Sequence, residues 1–177
     1  MQREYRELWE KCVAFHGHAC GGLAVGFRAA LYAMELLGLD GRAEDEEIVC
    51  VAENDACGVD AVQALLGCTV GKGNLVFDMQ GKQAFSFFRR GGGEGVRLVL
   101  RRTPGMSSDE RREWLMEGDY HEMFDVKAPQ CTLPERARIF KTYVCSVCGE
   151  PVAESHVRLQ QGETVCCRCH SAYSRGL

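Results

Sequence analysis

Apolar positions along the chain change period repeatedly. Tyr5, Leu8, Trp9 and Cys12 recur at the i, i+3, i+4, i+7 spacing of a short amphipathic helix. Leu23, Phe27, Leu31 and Met34 keep a helical spacing, with Gly38 as the expected stop. From Ile48 to Ala52 the pattern becomes an unbroken apolar run, as in a buried strand. The stretch "NDACGVDAVQALLG" returns to helix, with Asn54 or Asp55 as its N-cap and Gly67 at its end. Beyond it "NLVFD", "QAFSFF" and "VRLVLR" are β-rich and separated by turn sequences, which predicts a three-stranded antiparallel meander. Ser107 and Glu110 form a capping-box pattern opening a helix through Trp114 and Leu115 that Gly118 ends. Residues 119–133 read as a linker or irregular arm, with Pro129 and Pro134 marking its far end. A core domain over 1–133 and a small C-terminal domain over 134–177 are therefore expected.

Composition narrows the class. With 177 residues, 46% of them hydrophobic and 26% charged, the chain suits a soluble globular protein with one substantial core. Its net charge of −4 demands no nucleic-acid partner. The N-terminal "MQREYRELWEKC" lacks the apolar centre of a secretory signal, and no run reaches a membrane span, since Arg28 and Glu35 interrupt the best candidate. A cytoplasmic location is expected. In a reducing compartment the 11 cysteines point to metal ligands, reactive thiols or core residues before disulfides.

Cys145-x2-Cys148, then seventeen residues, then Cys166-x2-Cys169 is a zinc-ribbon spacing. Each CxxC knuckle turns two thiolates to one side, and two knuckles complete a tetrahedron around a structural Zn²⁺. Gly149 follows the first knuckle where a permissive backbone is needed. The intervening segment reads as a hairpin turning near Gln161-Gly162. Cys167 and His170 restore no paired knuckle and are left out of the set.

The stretch "FHGHACGG" holds a second constellation. If extended, it points His16, His18 and Cys20 to one side, just before a helix whose free N–H groups face the same region. Cys57 opens another helix directly after the buried strand. Helix N-termini lower thiol pKa values and attract anions. Two imidazoles and two thiols at such places suit a second transition metal, expected to be Zn²⁺, and a small anionic ligand. If two or three of the four bind, a coordination position stays open, as in catalytic sites. Asp55 or a non-ligating histidine could then move a proton, which makes His18, Asp55 and Cys57 the catalytic candidates. The alternative is that the histidines cap helices and the cysteines fill the core. "GCTVGKGNL" lacks the spacing of a phosphate loop, so Lys72 reads first as part of a tight turn and second as an anion contact. Cys12, Cys50 and Cys68 are assigned to the core.

"FHGHACGGLAVGFRAA", "ENDACGVDAVQALLGCTVGKGNL" and the terminal "CSVCGE…CRC" resemble the E-subunit family of formylmethanofuran dehydrogenase over nearly the whole chain. The resemblance implies an α+β fold with an antiparallel or mixed sheet packed with helices, a zinc-binding tail and a homodimer. It also implies a metal site at His16, His18, Cys20 and Cys57, with Asn54 and Asp55 alongside. One departure is Gly21, where the family motif usually has proline after the cysteine. The expected function is that of a metal-binding accessory or regulatory component linked to a molybdenum- or tungsten-dependent formyl dehydrogenase. The alternatives are a free-standing metalloenzyme acting on a small anionic or carbonyl substrate, or a zinc-ribbon docking module.

Overall fold

The computed structural model describes residues 3–93, 95–173 and 175. The chain divides into two compact units, Met1–Ala137 and Arg138–Leu177. Residues 134–137 stay with the larger unit because side chains of its core hold them. Arg90 donates to the carbonyls of Pro134 and Glu135, and the Glu46 carboxylate accepts from the Ala137 N–H.

The larger unit is an α+β fold. Its helices are α1 (Arg3–His16), α2 (Gly21–Leu37), α3 (Gly58–Leu66), α4 (Ser108–Glu117) and the one-turn α5 (Tyr120–Met123). Its strands are β1 (Ile48–Ala52), β2 (Leu75–Phe77), β3 (Ala84–Arg89), β4 (Val96–Leu100) and β5 (Phe124–Lys127). The caps follow the local sequence. Gly38 and Gly67 end α2 and α3 in the left-handed conformation, at φ 57° and 67°. Ser107 and Glu110 exchange both hydrogen bonds of a capping box at α4.

The sheet is mixed, in the order β2-β1-β3-β4-β5. This corrects the expected meander in two respects. First, β2 pairs with β1, and in parallel, because α3 carries the chain back to the same end of the sheet before β2 begins. Second, the supposed linker contains β5, an edge strand antiparallel to β4 whose charged, half-exposed residues hide its β character.

Helix α2 is buried continuously from Leu23 to Ala33. It packs most heavily on α3 and also touches α1, α4, α5, β3 and β4. Cys50, Ala52, Phe85, Phe87 and Leu98 meet this helical layer from the sheet. Cys12, Cys50 and Cys68 are fully buried, as expected of core thiols, and burial pushes Cys12 and Cys68 up to about 12. The other face of the sheet carries Val49, Val51 and Phe88, against which Cys131 packs. Arg28, buried within α2, donates to the Met116 carbonyl at the end of α4. His121 lies between the carboxylates of Glu35 and Asp119, and their hydrogen bonds raise its pKa.

The smaller unit pairs β6 (Thr142–Val144) with β7 (Pro151–Ala153) and β8 (Val157–Gln160) with β9 (Glu163–Cys166). The second hairpin turns on Gln161 and Gly162, both at positive φ. Two successive positive φ values match the twist of a tight hairpin. Among the described residues no helix is long and apolar enough to cross a membrane.

Candidate metal centres

In the smaller unit the sulfurs of Cys145, Cys148, Cys166 and Cys169 lie within 4.8 Å of one another. Each knuckle is closed by its own backbone. Gly149 N–H bonds the Cys145 carbonyl, with Gly149 at φ 73°, and Cys169 N–H bonds the Cys166 carbonyl. The N–H groups of Cys148 and Cys166 point at the Cys145 sulfur and bring its pKa down to about 6, the Cys166 contact being 3.3 Å. Cys169 is pushed up, first by its hydrogen bond with Cys166. Thiols packed this closely cannot all ionise without a cation among them, which is the chemistry of a four-thiolate zinc ligand set. Cys167 is turned aside and donates to the His156 carbonyl at 3.1 Å.

The larger unit forms the second cluster by a different route from the one the sequence suggested. His16, Cys20 and Cys57 bring one donor atom each within 4.8 Å of one another. The segment before α2 is not extended. His16 is the last residue of α1, Gly17 turns the chain at φ 93°, and Cys20 caps α2 by accepting from Leu23 N–H at 3.3 Å. A corner between two helices, not strand alternation, brings the Cys20 sulfur 3.8 Å from His16 Nε2. The same corner leaves His18 exposed and outside the cluster, its ring 4.6 Å from that of His16.

Cys57 reaches the pair from the N-terminus of α3. Neither Asn54 nor Asp55 caps that helix; Cys57 occupies the cap position without a side-chain bond. Asn54 instead braces the turn leading to it, accepting from Ala56 N–H at 3.1 Å and donating to the Lys82 carbonyl at 2.8 Å. The expected fall in the Cys57 pKa does not occur. Burial of the thiol, and then its hydrogen bond with Cys20, raise it.

Sequence reasoning missed Asp60. Its carboxylate lies 2.7 Å from His16 Nδ1 and also accepts from Gln63 Nε2. It sits three residues after Cys57, on the same face of α3, and that spacing was the available signal. The ring of His16 thus has one nitrogen held by a carboxylate and the other facing the thiols. Beside the cluster is a hollow of about 360 Å³, lined by His16, Cys57, Asp55, Asp60, Gln63 and Phe77 among others. Lys72 is remote from this chemistry. Its ammonium donates to the carbonyls of Ala43, Glu44 and Asp45, so it clamps the loop before β1 instead of presenting a charge to an anion.

Three glycines let the helices carrying Cys20 and Cys57 meet. A Cβ on Gly26 would lie 1.9 Å from the Gly58 carbonyl oxygen, and one on Gly58 would lie 3.1 Å from the Gly22 oxygen. The atoms nearest a Cβ on Gly22 would be those of cysteine side chains, the nearest in Cys57 at 3.2 Å. Gly26→Ala should therefore cost about 1–3 kcal/mol or more by forcing α2 and α3 apart. That outweighs the ~1 kcal/mol an alanine gains in a helix interior. Thermal unfolding should show Gly26→Ala well below Gly22→Ala; equal melting points would contradict the backbone-contact explanation.

The chain matches the family described as FmdE, molybdenum formylmethanofuran dehydrogenase operon, over residues 15–143. Its fold is similar to a crystal structure of an FmdE-like protein from Syntrophus aciditrophicus, named for the E-subunit of tungsten formylmethanofuran dehydrogenase. That similarity has a TM-score of 0.65 and 27% identity, covering 96% of this chain and 94% of the other. The chain is also 29% identical, over 97% of its length, to a probable S-adenosyl-L-methionine-binding protein of Archaeoglobus fulgidus, of which it covers 55%. It thus spans about half the length of that curated relative. With the family match extending from Phe15, just before His16, to Tyr143 at the edge of the four-cysteine cluster, this chain belongs to the FmdE family.

Proposed function

We propose that this protein holds two metal ions, each expected to be Zn²⁺. One is structural, on Cys145, Cys148, Cys166 and Cys169. The other is held by His16, Cys20 and Cys57 with a coordination position left open. The reading is carried by His16, whose Nε2 faces the Cys20 thiol while Nδ1 is held by Asp60 at 2.7 Å. Ligating histidines almost always have such a partner, which fixes the tautomer and the ring. One histidine and two cysteines are also a known ligand set for zinc with an exchangeable fourth position. Zn²⁺ there supplies Lewis acidity toward a substrate oxygen. Asp55, on the lining of the hollow, accepts or returns a proton. His18 serves as a second proton carrier and not as a ligand.

At the level of the cell, the reading is an accessory or regulatory component linked to a molybdenum or tungsten formyl dehydrogenase, working in the cytoplasm as a homodimer. The operon named in the family description supports it, as does the description of the Syntrophus aciditrophicus protein. The hollow beside the trio favours a second reading, a free-standing metalloenzyme acting on a small carbonyl substrate. A docking role for the ribbon is favoured by Val144, Val147 and Leu159, which stand exposed.

Elemental analysis with Co²⁺ substitution tests the two-metal reading. Wild-type protein should carry two metals per chain with distinct spectra. Cys57→Ser should carry one and lose only the non-ribbon bands, and Asp60→Asn should weaken that site by about 10–100-fold. Wild-type protein saturating at one metal per chain, with ribbon bands alone, would return His16, Cys20 and Cys57 to capping and core roles.

A further inference from the structure

We infer that the hollow beside His16 and Cys57 takes a ligand bearing a positive charge, an ammonium or other onium cation, and not a small anion. The inference deepens the metal-centre reading and rests on it for what such a ligand is doing there. The charge preference itself comes from the chain's own residues.

In the sequence, the N-terminus of α3 favoured an anion. In the structure that terminus already has its carboxylate. Asp60 lies in the first turn of α3, where a negative charge offsets the positive end of the helix dipole, and it is held there by His16 and Gln63. Asp55, exposed just before the helix, adds a second carboxylate to the lining. No lysine or arginine is among the described residues that line the hollow. An entering anion would meet two carboxylates and the thiol of Cys57.

The same wall suits a cation. Phe77, at the end of β2, is 40% exposed and lines the hollow, and a quaternary or primary ammonium is attracted to the face of such a ring. Gln63 uses its amide nitrogen on Asp60, so its oxygen remains an acceptor. About 360 Å³ is at the lower end of small-molecule sites. The ligand is therefore of small-metabolite size. One end reaches the His16–Cys57 side, and a cationic end lies toward Asp55 and Phe77.

Two reagents of opposite charge and similar size read this preference at Cys57. These are 2-(trimethylammonium)ethyl methanethiosulfonate and 2-sulfonatoethyl methanethiosulfonate. Each is attacked by the Cys57 thiolate at its sulfenyl sulfur, forming a mixed disulfide and releasing methanesulfinate. Peptide mass spectrometry of the full-length protein gives the two rates at Cys57. Their ratio is divided by the ratio for the neutral thiol N-acetylcysteinamide, which removes the intrinsic difference between the reagents.

The wild-type ratio should exceed the reference by about tenfold, the combined effect of nearby carboxylates and one aromatic face. Asp55→Asn should reduce it about threefold, and Asp55 is exposed, so the fold is not at risk. Phe77→Leu should slow the cationic reagent and leave the anionic one unchanged. A wild-type ratio at or below the reference overturns the inference. So does a raised ratio that neither substitution lowers. A metal bound at Cys57 would slow both reagents and, being a cation, would also lower the ratio. Wild type and variants are therefore compared at equal metal content, and that content separately decides the reading on which the ligand's purpose depends.

Discussion

Replacing Cys145 with serine is expected to unfold residues 138–177 while the larger unit keeps its cooperative melting transition. The smaller unit has almost no core of its own. Among its described residues only Cys145 and Val165 are buried hydrophobics, and its sheets are two hairpins of two strands each. Isolated hairpins are marginal in water, and units of about 40 residues usually need metals, disulfides or partners to fold. On the proposed reading, metal binding by four thiolates would supply that stability, at roughly 10–16 kcal/mol for structural zinc peptides. Losing the Cys145 sulfur removes both a ligand and the acceptor of the Cys166 N–H. The larger unit has its own continuous core through α2, α3 and β3 and should not follow. Limited proteolysis should cut within 138–177, and the protein should contain one metal fewer per chain. Retention of full metal content with an intact, protease-resistant tail would show that the four-cysteine assignment is wrong.

A second large effect is expected at the end of β1. Glu53 and Arg97 form a bidentate ion pair at 2.5 and 2.8 Å, with both side chains about 95% buried. Hydrogen bonding to Glu53 raises the Arg97 pKa, and a guanidinium is not deprotonated in proteins even when that partner is lost. Glu53→Gln would leave that charge buried and uncompensated, at a cost of about 3–5 kcal/mol. For a chain of this size the loss should lower the melting temperature by roughly 10 °C. Lys82, 4.0 Å from Glu53 and half exposed, cannot replace the lost charge, since it is itself a cation. A double variant, Glu53→Leu with Arg97→Met, should recover most of the stability, because two apolar groups leave nothing unsatisfied. The consequence reaches the site, because the Glu53 carbonyl also accepts from the N–H groups of Gln80 and Lys82 beside the Asn54 brace. Glu53→Gln should therefore expose Cys57 to alkylation faster than wild type. A loss under about 1 kcal/mol would mean that solvent reaches the pair.

The parts of this protein that were legible in its sequence are those whose physics is local. Gly38 and Gly67 announced the ends of α2 and α3, Ser107 and Glu110 announced the start of α4, and the apolar run 48–52 is β1 to the residue. The four cysteines of the ribbon were legible for the same reason, because a CxxC knuckle closes through its own backbone within about four residues. The second cluster was only half legible. Its residue types were visible, but the assumed extended backbone put His18 with His16 and Cys20, whereas a helix end at His16 and a turn at Gly17 put it outside.

By itself, then, the sequence determined most of the elements, the glycine ends of α2 and α3, the capping box of α4, the mixture of helix and sheet, and a ribbon with its four thiols. Only the tertiary structure decided that β1 lies between β2 and β3, that β2 runs parallel to β1, and that β5 completes the far edge of the sheet. It also decided that Cys57 joins His16 and Cys20, that Asp60 holds the His16 ring, and that Glu53 finds Arg97. Each of these depends on groups about 20 to 44 residues apart. Their meeting is set by how closely whole helices and strands can pack, as at Gly26 against Gly58, and periodicity along the chain carries no record of that distance.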